Sequence, residues 1–495
     1  MSYIKLFDHH IRLPYFYLGI MEFNIHIIAA YAAARLWLPD TVINLKDPLD
    51  PFYSYALIYS VVMLSSTLAL GVYTVRYREG FVAAAIRTIV SYCLLASTAL
   101  GLLLTIFPSL NLGDGMLLIC VATSFIFCMP ARWVFYKVIT NENLKRRVLV
   151  LGAGRKAKEL WDIMEPDNRY SAFRIEGFLD SKGRNEAVTG LKMIEYHRDL
   201  LRCTEKFDID EIVVALDERR RSEGGEFPLD ELLDCKLRGV FVTDAAAFCE
   251  RERGRIEPSL ISPSWMVFST GFKYSQVRDI VKRTFDISIC IVLLLITLPL
   301  ILLTALLVFL DDGRPVFFKQ VRVGLDNKEF TLYKFRSMRK DAEKDGAQWA
   351  KANDSRVTRI GNFIRNTRLD ELPQIYNVLR GDMSFVGPRP ERPEFIVDLA
   401  DQIEYYNERH RIKPGLMGWA QLKYPYGASV EDARNKLKYD LYYAKNHSLL
   451  LDLVIVLQTV EIVLLGKGVR QFRKDSSLHL GKCQPSRFFC KRAKN

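Results

Sequence analysis

Asp370 and Glu371 are adjacent carboxylates, and such a pair could take part in catalysis. They lie in the stretch TRLDELPQ, just ahead of Pro373. A helix start would explain them, because Asp is a good N-cap, acids suit the positive end of a helix and Pro is tolerated in a first turn. Paired carboxylates also favour Mg²⁺ that is bridged to substrate phosphates. The octapeptide alone is compatible with both interpretations.

Basic side chains on both sides of this pair could hold phosphate groups. The candidates are Lys334 and Arg336 in YKFRSM, Arg365 in RNTRLDE and Arg389 in GPRPE. Arg offers bidentate contacts to phosphate, and the prolines that flank Arg389 restrict its backbone. Each arginine alone is more typical of a solvated surface charge. Cations that bracket one acidic pair instead indicate a site for phosphorylated substrates.

The elements that carry these residues belong to a chain with long apolar blocks. A length of 495 residues suggests roughly three domains. Basic residues concentrate in the loops on one side of the blocks, which places both ends of a helical bundle in the cytoplasm. The net charge of +12 could serve nucleic acid, anionic lipid or phosphorylated substrates, and the membrane segments favour the last two. The four predicted spanning helices are Leu13–Leu38, Tyr53–Val75, Thr88–Phe107 and Met116–Tyr136.

A glycine-rich turn follows a strand pattern in the next part of the chain. In RRVLVLGAGRKAKELWDIM, an apolar run leads into Gly152 and Gly154 and then into a helical pattern. This is typical of the first βαβ unit of a doubly wound sheet, whose helix start can bind an anion. A dinucleotide at Gly152 and Gly154, with Asp180 near the ribose, is one interpretation. A Rossmann-like domain without a redox cofactor is the other, and the motif alone does not distinguish them.

A fifth apolar run, Ile287–Leu310, is uncharged and long enough to span a bilayer. Lys282 and Arg283 precede it and Arg314 follows it, so neither flank is typical of an external segment. Pro299 near its middle removes a backbone hydrogen bond and can bend a helix. We therefore expect a re-entrant helix, broken at its middle, that enters the cytoplasmic leaflet and returns.

From Gly313 onward, several motifs resemble the bacterial sugar transferase domain. This domain defines the polyprenyl-phosphate sugar-1-phosphate transferases, which are monotopic phosphoglycosyl transferases. The upstream helices and Rossmann-like domain are similar to the long members that start exopolysaccharide or O-antigen repeat units. The resemblance covers residues 276–470 or so and is carried by PVFFKQVRVGLDNKEFTLYKFRSM, RVTRIGNFIRNTRLDELPQIYNVLRGDMSFVGPRPE, KPGLMGWAQ and YDLYYAKNHSLLLDLVIVLQTV.

The resemblance implies that a nucleoside diphosphate sugar, commonly a UDP-sugar, gives its sugar-1-phosphate to undecaprenyl phosphate, with UMP as the second product. Asp370 would be the nucleophile that forms a phospho-sugar aspartyl intermediate, and Asp370 and Glu371 would hold Mg²⁺. Whether Glu371 orients the metal or handles a proton stays open. Asp440 matches an acidic position linked with the active site, although an ordinary salt bridge would also explain it. Gln421 is assigned to the nucleotide end of the pocket, and Arg368 departs from the small or polar residue of many relatives.

The expected architecture is a membrane α-helical bundle, an α/β Rossmann-like cytoplasmic domain and a mixed α/β monotopic catalytic domain with a re-entrant membrane helix. The expected partners are a nucleoside diphosphate sugar, undecaprenyl phosphate and lipids of the bacterial inner membrane, with no nucleic acid and with a homodimer as an option. The predicted boundaries are 1–142 for the four-helix region, 143–262 for the Rossmann-like domain, 263–277 for a linker, 278–480 for the catalytic domain with its re-entrant helix at about 283–311, and 481–495 for a basic tail.

Two other functions stay open at this point. A membrane-anchored, NAD-dependent nucleotide-sugar modifying enzyme would need a Tyr-x-x-x-Lys helix, and none is convincingly placed after residue 150. A non-catalytic scaffold for polysaccharide assembly would tolerate Asp370→Asn. The nine cysteines are scattered without a C-x-x-C pair, which indicates neither a zinc ribbon nor a disulfide framework. The donor sugar is not determined by the sequence.

Overall fold

The computed structural model is mostly helical, with several long apolar helices and a five-stranded parallel sheet. The chain forms two compact units, one from the described residues of 1–274 and 441–458 and the other from those of 275–440 and 459–495. The predicted basic tail, residues 481–495, lies outside the described residues. The structure describes residues 3–6, 9–37, 51–73, 81–108, 115–139, 145–164, 173–180, 192–195, 199–218, 227–261, 263–272, 275–342, 354–424, 427 and 429–465.

The first unit begins with a short antiparallel hairpin and a set of apolar helices. A π-helical segment, Ser91–Ala96, joins two of these helices into one continuous rod. The four predicted apolar helices are confirmed, and each is long and apolar enough to cross a membrane. The elements are β1 (Tyr3–Leu6), β2 (His9–Arg12), α1 (Leu13–Trp37), α2 (Pro51–Ala69), α3 (Phe81–Val90), α4 (Ser97–Ile106) and α5 (Met116–Ile139).

A buried ion pair joins α1 to α5. Glu22 is fully buried, and Nη2 of Arg132 donates to its Oε2 at 2.8 Å. Tyr73 donates to the same carboxylate, and Arg132 also donates to Thr88. Charged residues inside apolar helices are costly unless they are paired within the bundle. This pairing explains how α1 carries a glutamate within an otherwise apolar stretch.

A parallel sheet forms the rest of the first unit. Its strands lie in the order β5-β4-β3-β6-β7, so β3, which comes first in the chain among these five strands, is central. Strand β6 is buried along its whole length, as expected where both faces of a sheet are covered. The elements are β3 (Arg146–Leu151), α6 (Arg155–Met164), β4 (Phe173–Leu179), β5 (Met193–Ile194), α7 (Leu200–Phe207), β6 (Glu211–Val214), α8 (Leu229–Leu237), β7 (Phe241–Asp244), α9 (Ala245–Arg253) and α10 (Pro263–Phe268).

The second unit opens with α11 (Gln276–Asp312), an apolar helix of 37 residues. This helix continues through Pro299, so the predicted interruption of the helix is wrong, whereas the sharp bend expected at Pro299 stays a prediction. The φ angle of proline suits a helix, and the missing N–H removes only one hydrogen bond, the one that would go to the carbonyl of Leu295. Helix α11 is the fifth helix in the described residues that is long and apolar enough to cross a membrane. Its re-entrant path stays a prediction.

Short elements after α11 bring the polar motifs together. Strands β8 and β9 form an antiparallel hairpin, and β10 pairs in parallel with β11. Val308 of α11 packs with Phe335 of the hairpin and with Ile364, which joins the segments that precede the acidic pair. The elements are β8 (Phe317–Val323), β9 (Glu329–Phe335), α12 (Arg359–Asn366), α13 (Gln374–Arg380), β10 (Ser384–Val386), α14 (Pro393–Gln402), β11 (Gly415–Met417) and α15 (Trp419–Lys423), and both units share α16 (Val430–Asn446) and α17 (Leu449–Leu465).

Candidate active site

The acidic pair lies in a single 3-10 turn, Leu369–Glu371, between α12 and α13. Both acids are in the first turn of this short helix, as a helix start predicts, but Asp370 is not its N-cap. That position belongs to Arg368, whose backbone is left-handed with φ 61°. Pro373 is the N-cap of α13 and supplies no side-chain acceptor. Helix capping therefore does not account for the two carboxylates.

The turn is held by its neighbours in sequence. Leu369 packs against the cluster of Val308, Phe335 and Ile364. Leu369 is half-buried there, and the next residue, Asp370, is only 8% exposed. The left-handed conformation of Arg368 costs about 1 kcal/mol or more for a side chain with a Cβ atom. Such strain persists where the surrounding packing determines the turn.

Three cations converge on one oxygen of Glu371. Nη2 of Arg389 donates to Oε1 of Glu371 at 2.7 Å. Nζ of Lys334 lies 3.6 Å and Nη1 of Arg368 lies 3.8 Å from the same oxygen. Burial alone would raise the pKa of Glu371, but the charges of these three cations lower it below its ordinary value. Glu371 is therefore the firmly ionised member of the acidic pair.

The two neighbouring groups respond differently to the same surroundings. Burial, followed by the negative charge of Glu371, raises the pKa of Asp370 above its ordinary value, against the opposing cations. Burial lowers the pKa of Lys334 to about 8, although Glu371 favours its charged form. Perturbed groups of this kind, gathered in one place, are typical of functional sites.

A buried arginine that the sequence analysis missed supports Arg389. Nη2 of Arg409 donates to the backbone carbonyl oxygen of Arg389 at 2.8 Å and lies 2.8 Å from Oδ2 of Asp440. Nη1 of Arg409 donates to the hydroxyl of Tyr406 at 2.8 Å. Burial raises the pKa of Asp440 to about 6, while the charge of Arg409 opposes this. Asp440 thus forms a salt bridge and is also linked to Glu371 through Arg409 and Arg389.

The other predicted site residues do not contact the acidic pair in the described part of the chain. Arg336 instead donates at 2.8 Å to the carbonyl oxygens of Asp312 and Gly313, at the end of α11. Arg365 is half-buried in the last turn of α12. Gln421 lies in α15, where its buried Oε1 has no partner among the described residues. Lys334 and Arg389 are therefore the predicted phosphate ligands that the fold brings to the carboxylates.

Asp370 and Glu371 are the two residues that would hold the expected magnesium ion. The described residues contain no group of three or more His, Cys, Asp or Glu side chains that could hold a metal ion. Mg²⁺ usually binds proteins through one or two carboxylates and completes its shell with phosphate oxygens and water. Asp370 and Glu371 would supply two such carboxylates.

The glycine-rich turn belongs to the first unit. Gly152 has φ 128°, a conformation that favours glycine, and a Cβ atom there would lie 2.6 Å from the carbonyl oxygen of Ala215. A side chain at position 152 would therefore clash with the backbone that follows β6, so the turn needs glycine there.

Comparisons with known proteins match the part of the chain that holds the acidic pair. The family model described as bacterial sugar transferase matches residues 277–466. The UDP-N-acetylgalactosamine-undecaprenyl-phosphate N-acetylgalactosaminephosphotransferase of Aeromonas hydrophila is 46% identical over 196 residues, which are 40% of this chain and 46% of that protein.

Two further relatives show how much of the chain is similar to known proteins. The undecaprenyl-phosphate glucose phosphotransferase of Komagataeibacter xylinus is 32% identical over 371 residues, which are 71% of this chain and 65% of that protein. The sugar transferase EpsL of Bacillus subtilis is 44% identical over 196 residues, which are 39% of this chain and 91% of that protein. The chain thus spans about half of the first relative, somewhat less than two thirds of the second and most of the third.

Proposed function

Because the chain belongs to the bacterial sugar transferase family, we propose that it transfers sugar-1-phosphate from a UDP-sugar to undecaprenyl phosphate. The products would be a sugar-diphospho-lipid and UMP, and the reaction would be the first membrane step of exopolysaccharide or O-antigen synthesis. The observation that carries this proposal is the convergence of Arg389, Lys334 and Arg368 on Glu371, next to the buried Asp370.

We assign the nucleophile to Asp370. A carboxylate oxygen of Asp370 attacks the phosphorus that bears the sugar, and the bond to the UMP oxygen breaks as UMP leaves with the electron pair. An oxygen of undecaprenyl phosphate then attacks the same phosphorus and displaces the carboxylate, which regenerates Asp370. The covalent route divides one difficult displacement into two easier steps.

The surrounding cations would stabilise the charge that develops during both steps. Lys334 and Arg389 are already ordered by Glu371, so they need little rearrangement when the phosphates arrive. Arg365 and Arg336 would meet only a substrate that extends toward α12 and the end of α11. Mg²⁺ held by Asp370 and Glu371 would neutralise part of the diphosphate charge.

The contacts of α11 support the proposed re-entrant path. Near its start, Arg283 donates to the carbonyl oxygen of Leu379 at 2.6 Å, and near its end Val308 packs on Phe335. Both ends of the helix therefore contact the same unit, whereas apolar side chains in its middle, such as Leu295, are exposed. We propose that its exposed middle enters the cytoplasmic leaflet and that the catalytic part lies at the inner face of the bacterial inner membrane.

Labelling tests this orientation. Lys328→Cys places a thiol at an exposed position of the second unit. A membrane-impermeant maleimide should label it in inverted vesicles and not in intact spheroplasts, relative to the protein without the added cysteine. Labelling in spheroplasts would reject the re-entrant path.

The central position of β3 in the parallel sheet supports a Rossmann-like assignment for the domain that contains this sheet.

We propose that the Rossmann-like domain also pairs two copies of the chain. Leu229, Leu233 and Leu237 are more than half exposed at four-residue spacing on α8, next to the exposed Phe241 of the edge strand β7. Antiparallel pairing of two such helices would set the acidic first turn against Lys236 of the second copy. Leu233→Glu should convert a dimer into a monomer in light-scattering chromatography, and an unchanged mass would reject this surface.

A transfer assay tests the proposed activity. Purified protein is incubated with radiolabelled UDP-sugars, Mg²⁺ and undecaprenyl phosphate, and lipid-linked product and UMP are measured. We expect Asp370→Asn to abolish both products, whereas Asp398→Asn, at an exposed position of α14, should leave them unchanged. A normal rate for Asp370→Asn would reject the assigned nucleophile.

A further inference from the structure

The first two backbone N–H groups of α6 are bound by a side chain of the chain itself. The N–H groups of Arg155 and Lys156 donate to Oδ2 and Oδ1 of Asp217, each at 2.8 Å. Asp217 follows β6, which is the neighbour of β3 in the sheet. One carboxylate thus satisfies two donors that a helix leaves without partners inside itself.

This position is the one where a doubly wound domain binds the diphosphate of a dinucleotide. The start of the helix after the first strand offers N–H groups and the positive end of the helix dipole. Asp217 presents two negatively charged oxygens to the same groups, in the arrangement that a phosphate would use. The anion position of the turn is therefore filled.

Both glycines of the turn are explained by the same segment. A Cβ atom on Gly154 would lie 2.1 Å from Oδ2 of Asp217, so the carboxylate would have to leave its position to admit a side chain. Gly152 approaches the carbonyl oxygen of Ala215, two residues earlier. The close approach of residues 215–217 thus accounts for Gly152 and, while Asp217 occupies the helix start, for Gly154 as well.

We infer that Asp217 is an internal substitute for phosphate that keeps the glycine-rich turn from binding a dinucleotide. An incoming diphosphate has to displace the carboxylate from both N–H groups and meets its negative charge while doing so. Asp217 is exposed, so its replacement removes this obstacle without opening the core of the sheet. The inference concerns the first unit and does not depend on the proposed transferase activity.

Titration of the purified full-length protein with NAD⁺ tests this inference. Asp217→Asn keeps one acceptor for the helix start and removes the charge, and Asp217→Ser also shortens the side chain. Asp210→Asn is a matched control, because Asp210 accepts the backbone N–H of Arg147 at 2.7 Å and precedes the same strand β6. Thermal unfolding establishes that each variant is folded.

We expect no saturable binding of NAD⁺ to the wild-type protein or to Asp210→Asn. Asp217→Asn and Asp217→Ser should bind NAD⁺ saturably. Their Kd should lie at least about tenfold below the highest NAD⁺ concentration at which the wild type shows no saturation, since a charge-assisted competitor has been removed. Equal saturable binding by the wild type and the variants would overturn the inference. Folded variants that still fail to bind would also overturn it, because some other feature would then exclude the dinucleotide.

Discussion

Among the described residues, Arg389 and Glu371 form the shortest ion pair to the acidic pair, with 2.7 Å between Nη2 and Oε1. The arginine is held at two points, because its backbone carbonyl also accepts a hydrogen bond from Arg409. Pro390 follows it directly and limits the backbone further. Arg389 is thus ordered before any substrate binds.

Replacement of Arg389 should cost most of the activity. We expect Arg389→Ala to lower kcat by about 10²–10³-fold, the usual loss when an ordered cation or donor for the transition state is removed. Arg389→Lys should be intermediate, since it keeps the charge but loses the planar fork. Initial rates with a radiolabelled UDP-sugar measure both effects.

A control variant tests whether the loss of activity is specific to Arg389. Arg411 is largely exposed and pairs with Glu408, so Arg411→Ala should leave the rate within about twofold. If Arg389→Ala kept the wild-type kcat, the assignment of Arg389 to the transferring phosphate would fail.

Arg368 should act on substrate binding more than on the chemical step. Its side chain is 46% exposed and lies 3.8 Å from Glu371, so solvent screens much of its charge. We expect Arg368→Ser to raise KM for the UDP-sugar by about three- to fivefold, with kcat within about twofold, in line with about 1 kcal/mol or less for such a charge. The difference in KM should shrink as salt is raised. A large loss of kcat at all salt concentrations would contradict this role.

The sequence predicted the features that depend on strong local patterns, namely the apolar helices and the charged motifs around the acidic pair. The apolar helices follow from the length and hydropathy of their runs, and Lys334, Arg389 and the acidic pair meet as expected. Arg409 was missed because it lies in a short 3-10 segment, Tyr406–Arg411, with no periodic pattern. Its role depends on tertiary contacts alone.

Two differences between the structure and the sequence-based expectations have specific physical causes. Lys334 and Arg336 are two residues apart, a spacing that places both on one face of a strand. Strand β9 ends at Phe335, however, so Arg336 leaves the strand and turns toward the end of α11. Pro299 was expected to break the helix, but α11 continues through it, because the fixed φ of proline is compatible with a helix and only one backbone hydrogen bond is lost.

Arg336 should matter for stability more than for catalysis. It donates to two carbonyl oxygens that the C-terminal end of α11 leaves without helical partners. We expect Arg336→Ala to cost about 1–3 kcal/mol of stability, seen as a lower Tm, while kcat of the folded protein stays within about threefold. Arg339→Ala, at an exposed position nearby, should leave Tm unchanged. A wild-type Tm together with a hundredfold loss of kcat for Arg336→Ala would instead favour a direct phosphate contact.

Removal of magnesium should stop the proposed reaction. Two carboxylates alone hold Mg²⁺ weakly, so excess EDTA should abolish product formation and added Mg²⁺ should restore it. Glu371→Gln should raise the Mg²⁺ concentration that gives half of the maximal rate by about tenfold or more, since it removes a charged ligand. Full activity in excess EDTA would show that the acidic pair works without the metal.

Asp440 should affect catalysis through Arg409 and Arg389 and not by contact with substrate. Its carboxylate holds Arg409, which in turn donates to the backbone of Arg389. Asp440→Asn keeps the size of the side chain but weakens a buried ion pair, so we expect a lower Tm and a kcat reduced by about tenfold. Asp401→Asn, at an exposed position of α14, is the control and should change neither quantity.

A double-mutant cycle separates this positioning role from a direct one. If Asp440 acts only by ordering Arg389, then Asp440→Asn should cost little further activity once Arg389 has been replaced by alanine. The double variant should therefore have nearly the kcat of Arg389→Ala alone. Multiplication of the two single losses in the double variant would show that Asp440 contributes independently, and the linkage through Arg409 would then be rejected.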